Sequence, residues 1–285
     1  MGKIGIIGGS GLYDIDGITR IEKIRIETPF GNPSDEFISG NLEGKEIVFL
    51  PRHGRGHKIL PSELNYRANI YAMKKLGVER IISVSAVGSL KEEVKPQDFV
   101  LPDQFVDRTN QARKTTFFGQ GVVAHIGFAE PVCPVLSEAL FEAAKGLGLT
   151  IHPKGTYLNM EGPAFSTRAE SELYKSWGMD VIGMTNMPEA RLAREAEICY
   201  ASLAMVTDYD CWYAKEETVS VDLIIQNMRK NIQNARKLIK SAITRIPQKR
   251  DCLCAQALKD AIITQVKEIP GEVRKNLNII IGKYI

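Results

Sequence analysis

The stretch Ile4-Gly5-Ile6-Ile7-Gly8-Gly9-Ser10-Gly11 joins a short apolar run directly to a cluster of glycines. A near-continuous apolar run that is rich in isoleucine predicts a strand buried on both faces. Glycines after such a strand let the backbone turn tightly and bring N–H groups close to an anion, and Ser10 adds a hydroxyl donor. The stretch therefore predicts a buried strand, Ile4–Ile7, that ends in a turn able to contact phosphate.

Further apolar runs of similar length follow along the chain, and helical patterns lie between several of them. They predict strands over residues 47–50, 80–85, 98–101, 180–184 and 201–206. Apolar residues at helical spacing predict helices over 65–76, 136–147, 169–177, 188–200 and 221–246. Alternating strands and helices are typical of the α/β class. We therefore expect one α/β domain with a central mixed, largely parallel sheet that is flanked by helices.

The last long helical pattern stops before Pro247, and the tail beyond it closes with the apolar run Leu277-Asn278-Ile279-Ile280-Ile281. A tail this apolar needs to be covered by other parts of the protein. We expect residues 1–246 to form the main domain. Residues 247–285 are expected to form an extension packed on the same domain or on a neighbouring subunit.

Composition narrows the class of protein. The 285 residues are 44% hydrophobic and 25% charged, with a net charge of +3. This even balance, without a block of like charge, argues against a nucleic-acid partner. No apolar run approaches the length of a membrane span, and the N-terminus lacks the layout of a signal peptide. We therefore expect a cytoplasmic protein that does not bind membranes.

The five cysteines are Cys133, Cys199, Cys211, Cys252 and Cys254. The Cys252-Leu253-Cys254 pair could ligate zinc only if a second close Cys or His pair joined it. The sequence offers no such pair at the usual spacing. We expect reduced thiols and no metal, with a disulfide as the alternative.

Three more predicted strand ends carry groups that bind anions. Arg52 and His53 follow the strand 47–50, and a planar guanidinium can hold two phosphate oxygens. The segments 83–89 and 184–188 add hydroxyl and backbone donors at two other ends. Each segment alone is equally typical of a structural turn or an exposed loop. Because ligands bind at the carboxyl ends of strands in α/β sheets, the ends together predict one anion site.

The glycine cluster also matches part of a dinucleotide-binding fingerprint. Gly9-Ser10-Gly11 supplies its first two glycines, but the third position is Asp14. Asp16 and Gly17 then interrupt the helix whose N-terminus must hold the pyrophosphate. A P-loop also fails, because no Gly-Lys-Ser/Thr follows. An NAD-dependent oxidoreductase is therefore only a distant alternative.

Taken together, the segments resemble the methylthioadenosine phosphorylases of the trimeric purine nucleoside phosphorylase family, from Ile4 to about Ile246. The matching stretches are GIIGGSGL from Gly5, TPFG from Thr28, RHGR from Arg52, NYRAN from Asn65, EGPAFSTRAE from Glu161 and AMVTDYDCW from Ala204. The resemblance implies a nucleoside phosphorylase-like fold and a homotrimer or a dimer of trimers. It also implies that inorganic phosphate is a co-substrate and that no organic cofactor or metal is needed.

The resemblance also implies roles for individual residues. It assigns phosphate binding to Ser10, Arg52, His53, Ser85, Ala86 and Thr185. It places Met184 against the ribose and Phe165 against the base or sugar, and it adds a neighbouring subunit's His125 to the pocket. Ile224 is expected to join them because it lies one helical turn beyond Val221 on the same face. Ser166 and Val221 are the expected specificity positions: Val221 stands where enzymes for ordinary purine nucleosides carry His, and it suits a thioether. For Met184, Phe165 and Val221, plain core packing is the alternative.

Asp208 and Asp210 follow the last predicted strand and are the expected catalytic residues. A carboxylate accepts a hydrogen bond from the exocyclic amine of adenine, and a protonated one can donate to N7. A 6-oxopurine would set an acceptor against an ionised carboxylate, which is costly when buried. We therefore expect phosphorolysis of 5′-methylthioadenosine. Phosphorolysis of 6-oxopurine nucleosides or methylthioinosine is the alternative.

Overall fold

The computed structural model describes residues 2–9, 11, 12, 15–110, 112–213 and 221–285, with the side chains of 221–224 outside that description. Strands in these ranges are β1 (Lys3–Gly8), β2 (Thr19–Ile24), β3 (Phe37–Leu42), β4 (Lys45–Pro51), β5 (Val78–Ser89), β6 (Phe99–Val100), β7 (Gln104–Arg108), β8 (Ile151–His152), β9 (Thr156–Met160), β10 (Val181–Gly183) and β11 (Cys199–Tyr209). The α-helices are α1 (Tyr66–Lys75), α2 (Pro134–Gly146), α3 (Arg168–Ser176), α4 (Asn186–Glu195), α5 (Val221–Arg245) and α6 (Gly271–Ile281).

Strand β5 is the centre of one sheet that contains all of these strands. On one side it pairs in parallel with β1, and the order continues through β4, β3 and β2. It also pairs in parallel with β11 over most of its length, while its last residues pair antiparallel with β10. Six of the ten pairings among the described strands are parallel. The expected mixed, largely parallel sheet is confirmed.

Helices cover both faces of the sheet, which is why its central strands are continuously apolar. In β1, Ile4 and Ile6 pack on the face covered by α2 and α5. Ile7 points to the opposite face, which α1, α4 and α6 cover. This alternation follows from the two-residue period of a strand, and burial on both faces removes the polar half of the usual pattern.

The extension beyond α5 packs on its own chain. Leu277, Ile280 and Ile281 of α6 are buried in the cluster that α1 and α4 also line. The hydroxyl of Tyr71 donates to the carbonyl of Asn276 at 2.8 Å. No helix in the described ranges combines the length and apolarity that a membrane crossing requires.

Two local features differ from the sequence-based expectations. The helix expected over 188–200 ends at Glu195, because Glu197 adopts a left-handed conformation with φ of 55° and Cys199 already begins β11. The sequence did not predict β2, β3, β7, β8 or β9. Strand β2 is largely exposed, so it lacks the apolar run that marks the central strands.

Candidate active site

A cavity of about 470 Å³ opens where the carboxyl ends of several strands meet. Its wall includes Arg52 and His53 after β4, Ser85 within β5, and Asp208 and Asp210 at the end of β11. Because β1, β4, β5 and β11 run parallel, their carboxyl ends lie along the same edge of the sheet. The volume is within the range of about 300–1,000 Å³ that small-molecule sites occupy.

The antiparallel strand β10 brings a second loop to this edge. Val181 pairs with Ser89 and Ile182 with Gly88, so the chain then runs back along β5. This register carries Met184 and Thr185 into the cavity wall beside Ser85 and Ala86. One end of the cavity is thus lined by hydroxyls from two strands that are distant in sequence.

Arg52 is buried and lies against a carboxylate. Its Nε donates to Glu189 at 2.8 Å, and its Nη2 donates to the other Glu189 oxygen at 3.0 Å. Nη1 donates to the carbonyl of Val84 at 2.9 Å, and Nη2 to the hydroxyl of Ser83 at 2.6 Å. Burial works against the charge, but the facing carboxylate outweighs it and raises the pKa of Arg52. Arg52 therefore remains charged and is fixed in orientation.

His53 is neutral at physiological pH. Burial, with the positive charge of Arg52 next, lowers the pKa of His53 to about 4. Its Nδ1 lies 2.8 Å from the carbonyl of Ile59, and a carbonyl only accepts, so Nδ1 carries the proton. Nε2 is then a bare acceptor, which suits a protonated phosphate oxygen. The ring also stacks on His57, with centroids 4.4 Å apart.

Two hydroxyls beside this end are buried without a well-formed hydrogen bond. Ser85 Oγ and the Tyr157 hydroxyl have no partner at proper hydrogen-bond distance and angle within the described chain. Burial raises the pKa of Tyr157, and the nearby Ser85 and Thr185 act against that rise. Buried polar atoms are nearly always satisfied, so orphans at a cavity wall indicate a place for a ligand or water. The Tyr157 hydroxyl lies over Gly183, where an added Cβ would be 1.9 Å away. Only glycine fits at position 183 while this tyrosine keeps its place.

A carboxylate stands at the other end of the cavity. Asp210 is buried, and its Oδ2 accepts a 2.5 Å hydrogen bond from Ser171 on α3. Burial raises the pKa of Asp210, although hydrogen bonds from Ser171 and Ser166 act in the opposite direction. A carboxyl group whose neutral form is favoured can hand a proton to a ring nitrogen.

Asp208 lies one pleat earlier on β11 and is half-buried. Its Oδ1 accepts a 2.5 Å hydrogen bond from the hydroxyl of Thr207. Gly88 lies against both residues: a Cβ built there would be 3.5 Å from the Asp210 Cβ and 3.7 Å from Asp208 Oδ2, which are ordinary contact distances. The cavity therefore has a hydroxyl- and guanidinium-lined end and a carboxylate end.

The structure places the other expected residues as follows. Met184 is half-buried in the wall, and Phe165 lies at the mouth with 75% of its surface exposed. Ser166 lies close enough to Asp210 to lower its pKa, but it is not part of the lining. His125 is exposed and is absent from the described lining of its own cavity. Ser10 and the side chains of Val221 and Ile224 lie outside the described residues.

The sequence did not reveal the residues that hold these groups in place. Glu189, Tyr157 and Ser171 are each separated by many residues from the groups they contact. Arg113 is another: it donates to the carbonyls of Met184 at 2.7 Å and Met187 at 2.8 Å, and so fixes the loop after β10. Among these residues, only Glu189 gave a local signal in the sequence: it is a charged residue inside a predicted helix, and the structure shows that it is buried.

The fold and the cavity define an α/β enzyme whose pocket suits a ligand with an anion at one end and a hydrogen-bonding ring at the other. A sequence model of the Phosphorylase superfamily matches residues 3–244 of this chain. The chain is 60% identical over 282 residues to S-methyl-5′-thioadenosine phosphorylase of Geobacter sulfurreducens, covering 99% of both. It is 55% identical to the protein of that name from Koribacter versatilis, covering 99% of this chain and 96% of that one.

Solved structures of similar proteins have the same fold. A methylthioadenosine phosphorylase from an Antarctic soil metagenomic library superposes with a TM-score of 0.93 at 50% identity, covering 97% of this chain and 98% of that one. A mutant adenosine/methylthioadenosine phosphorylase of Schistosoma mansoni, in complex with methylthioadenosine, gives 0.84 at 38% identity, covering 91% and 96%. The chain belongs to the phosphorylase superfamily.

The lowered pKa of His53 predicts a specific loss of stability in acid. Between pH 6.5 and about 4 the unfolded chain binds a proton at this histidine and the folded chain does not. The free energy of unfolding should therefore fall by up to about 3 kcal/mol across this window through His53 alone. Urea unfolding at a series of pH values measures this loss.

The His53→Gln variant should have a shallower dependence on pH than the parent protein. Equal slopes for the parent and His53→Gln would show that His53 is not held neutral.

Proposed function

We propose that this chain catalyses the phosphorolysis of 5′-methylthioadenosine to adenine and 5-methylthioribose 1-phosphate. The observation that carries the proposal is one cavity with orphan hydroxyls and a fixed guanidinium at one end and a protonatable carboxyl group at the other. Relatives named for this activity, 50–60% identical over nearly the whole chain, support it.

In the proposed reaction, the hydroxyl- and guanidinium-lined end of the cavity, called the anion end below, holds the phosphate nucleophile. Ser85, Thr185 and the backbone of Ala86 surround the phosphate oxygens, and Arg52 supplies a fixed positive charge. Ser10 is assigned to the same cradle on the resemblance alone. The bare Nε2 of His53 accepts a hydrogen bond from the P–OH group of hydrogen phosphate, and so orients an ionised oxygen towards C1′.

At the carboxylate end, the base departs as a neutral purine. The glycosidic bond loosens first, and the ribosyl group gains oxocarbenium character, as in other glycosyl transfers. Asp210 donates a proton towards N7, while Asp208 accepts from the exocyclic amine. Phosphate attacks C1′ from the opposite face, and its negative charge stabilises the developing cation. The proposed chemistry needs no organic cofactor and no metal at this cavity.

The lining also supports a thioether at the 5′ position rather than a hydroxyl. Met228 and Ile232 on α5, together with Leu60, present apolar surface to the cavity. A methylthio group gains free energy when it is buried there, whereas a 5′-hydroxyl would lose its hydrogen bonds to water. The two expected specificity positions, Ser166 and Val221, belong to the same proposal.

The proposed assembly is a homotrimer or a dimer of trimers in which His125 reaches a neighbouring copy's cavity. His125 is exposed, and it lies on a segment paired with the extension, where its N–H donates to the carbonyl of Ala261 at 2.9 Å. Val123 and Ile263 beside it are 48% and 63% exposed. An exposed histidine among exposed apolar side chains suits an interface between subunits.

The direct test of the activity is release of free base from purified protein. With methylthioadenosine and phosphate we expect adenine, and without phosphate we expect none. Methylthioinosine and inosine should release hypoxanthine far more slowly, because the carboxylate of Asp208 would face the 6-oxo acceptor there. Rapid hypoxanthine release would favour the 6-oxopurine alternative, and release that ignores phosphate would refute phosphorolysis.

In the same assay, Asp210→Asn should lower kcat about a hundredfold or more, because the amide keeps the shape of the side chain but cannot donate as an acid. Asp260→Asn, at an exposed aspartate of the extension, is the matched control and should keep the parental kcat. A normal kcat in Asp210→Asn would remove Asp210 from the mechanism.

Ser85→Ala should weaken phosphate use without destabilising the fold. Its Oγ makes no well-formed hydrogen bond within the described chain, so its removal should cost the fold little. One hydrogen bond to a charged ligand corresponds to roughly a tenfold rise in the KM for phosphate. Initial rates against phosphate and a melting curve test this. An unchanged KM for phosphate would exclude Ser85 from the cradle.

His125→Ala should raise the KM for the nucleoside several-fold while the oligomer stays intact. Light scattering during gel filtration measures the mass, and initial rates measure the KM. A fully active monomer would contradict the shared pocket.

A further inference from the structure

Four of the five cysteines meet at one place far from the cavity. The Sγ atoms of Cys133, Cys199, Cys252 and Cys254 all lie within 4.8 Å of one another. The Cys199 and Cys252 sulfurs are 3.2 Å apart, and all four thiols are free. Three of the four residues are buried, and Cys252 is half-buried. We call this group the cysteine cluster.

The fold brings together a second pair of ligands whose members are far apart in the sequence. Cys133 precedes α2, and its N–H donates to the carbonyl of Tyr200 at 2.8 Å, which fixes it beside the start of β11. Cys199 is the first residue of β11. Cys252 and Cys254 come from the extension and flank Leu253, whose side chain is 83% exposed. Cys254 lies in a short 3₁₀ helix that begins at Leu253, and both thiols belong to the cluster.

The size and chemistry of the cysteine cluster suit one divalent, thiophilic cation. Zinc takes four thiolates in a tetrahedron with Zn–S bonds of about 2.3 Å, which places the sulfurs roughly 3.8 Å apart. The observed spread of 3.2 to 4.8 Å brackets that edge. A closed set of four soft sulfur ligands with no oxygen or open position is typical of a structural site rather than a catalytic one.

Basic groups surround the cysteine cluster. Arg80 is buried, and its Nη2 donates to the carbonyls of Pro247 and Lys249 at 3.1 and 3.3 Å. Arg80, Lys249, Arg250 and the acidic Asp251 line a small void with Cys133, Cys199 and Cys252. The Nε of Arg250 is buried and meets no acceptor among the described residues. Four thiolates around a divalent cation carry a net charge of minus two. The positive charges of the nearby arginine and lysine side chains offset it.

We propose that Cys133, Cys199, Cys252 and Cys254 bind one structural zinc ion that fastens the extension 247–285 to the main domain. Binding replaces the four S–H protons with four Zn–S bonds and releases those protons, without any transfer of electrons. This proposal departs from the expectation of metal-free thiols, because the folded chain provides the second pair that the sequence analysis required. The ion takes no part in phosphorolysis.

The two sites lie at opposite ends of β11. Cys199 begins this strand, and Asp208 lies nine residues further along, which is about 30 Å of extended chain. Loss of the ion should therefore change the stability of the extension before it changes the chemical step. This separation keeps the zinc proposal and the proposed function independently testable.

The test is the metal content of protein purified under reducing conditions without chelator. Native mass spectrometry and elemental analysis should find about one zinc per chain. The double variant Cys252→Ser, Cys254→Ser should fall below about a tenth of that amount. The matched control Cys211→Ser, which changes the one cysteine outside the cluster, should keep its zinc. Replacement with cobalt(II) should give the visible spectrum of a tetrahedral thiolate site.

Stability supplies the second readout. Removing zinc from the parent protein with a chelator should lower its melting temperature by several degrees, and added zinc should restore it. The double variant should melt lower and ignore added zinc. If the double variant does not fold, the cobalt spectrum of the parent protein decides the question alone. Five free thiols without metal, or a denatured mass lower by the hydrogens lost to disulfides, would overturn the proposal.

Discussion

The buried ion pair between Arg52 and Glu189 holds the active-site edge of the sheet together. Arg52 follows β4, and Glu189 lies on α4. Around them, Ser83 of β5 donates to Glu189 at 2.7 Å, and Tyr200 of β11 donates to it at 3.0 Å. Removing one partner of such a pair leaves an uncompensated buried charge, which costs about 3–5 kcal/mol. The pair therefore fixes how β4, β5, β11 and α4 meet.

This arrangement also sets the electrostatic character of the two ends of the cavity. Glu189 fixes the orientation of Arg52, so the anion end is an oriented cradle. Next to it, burial keeps His53 neutral. At the other end, burial favours the protonated form of Asp210. An anion end and a proton-donating end, held on one rigid sheet edge, are what attack on C1′ with loss of a purine requires.

The sequence predicted those features of the fold and site that depend on short stretches of neighbouring residues. Strand ends are recognisable in the sequence itself where glycines follow the apolar run of β1 and where Arg52 and His53 follow β4. Glu189 could not be assigned its partner, because that contact spans 137 residues and arises only when β4 and α4 pack together. The same limit applies to Cys133 and Cys199, which the fold brings to the Cys252–Cys254 pair. Edge strands such as β2 lack a buried face and so gave no signal.

In the proposed reaction, phosphate held in the cradle displaces the purine from C1′ with inversion. The most direct test is ³¹P NMR of a reaction that contains methylthioadenosine and inorganic phosphate. We expect phosphate to be converted, one for one with adenine, into the α-anomer of 5-methylthioribose 1-phosphate, with inversion at C1′. Free methylthioribose with unchanged phosphate, or a β-anomer formed with retention, would contradict it.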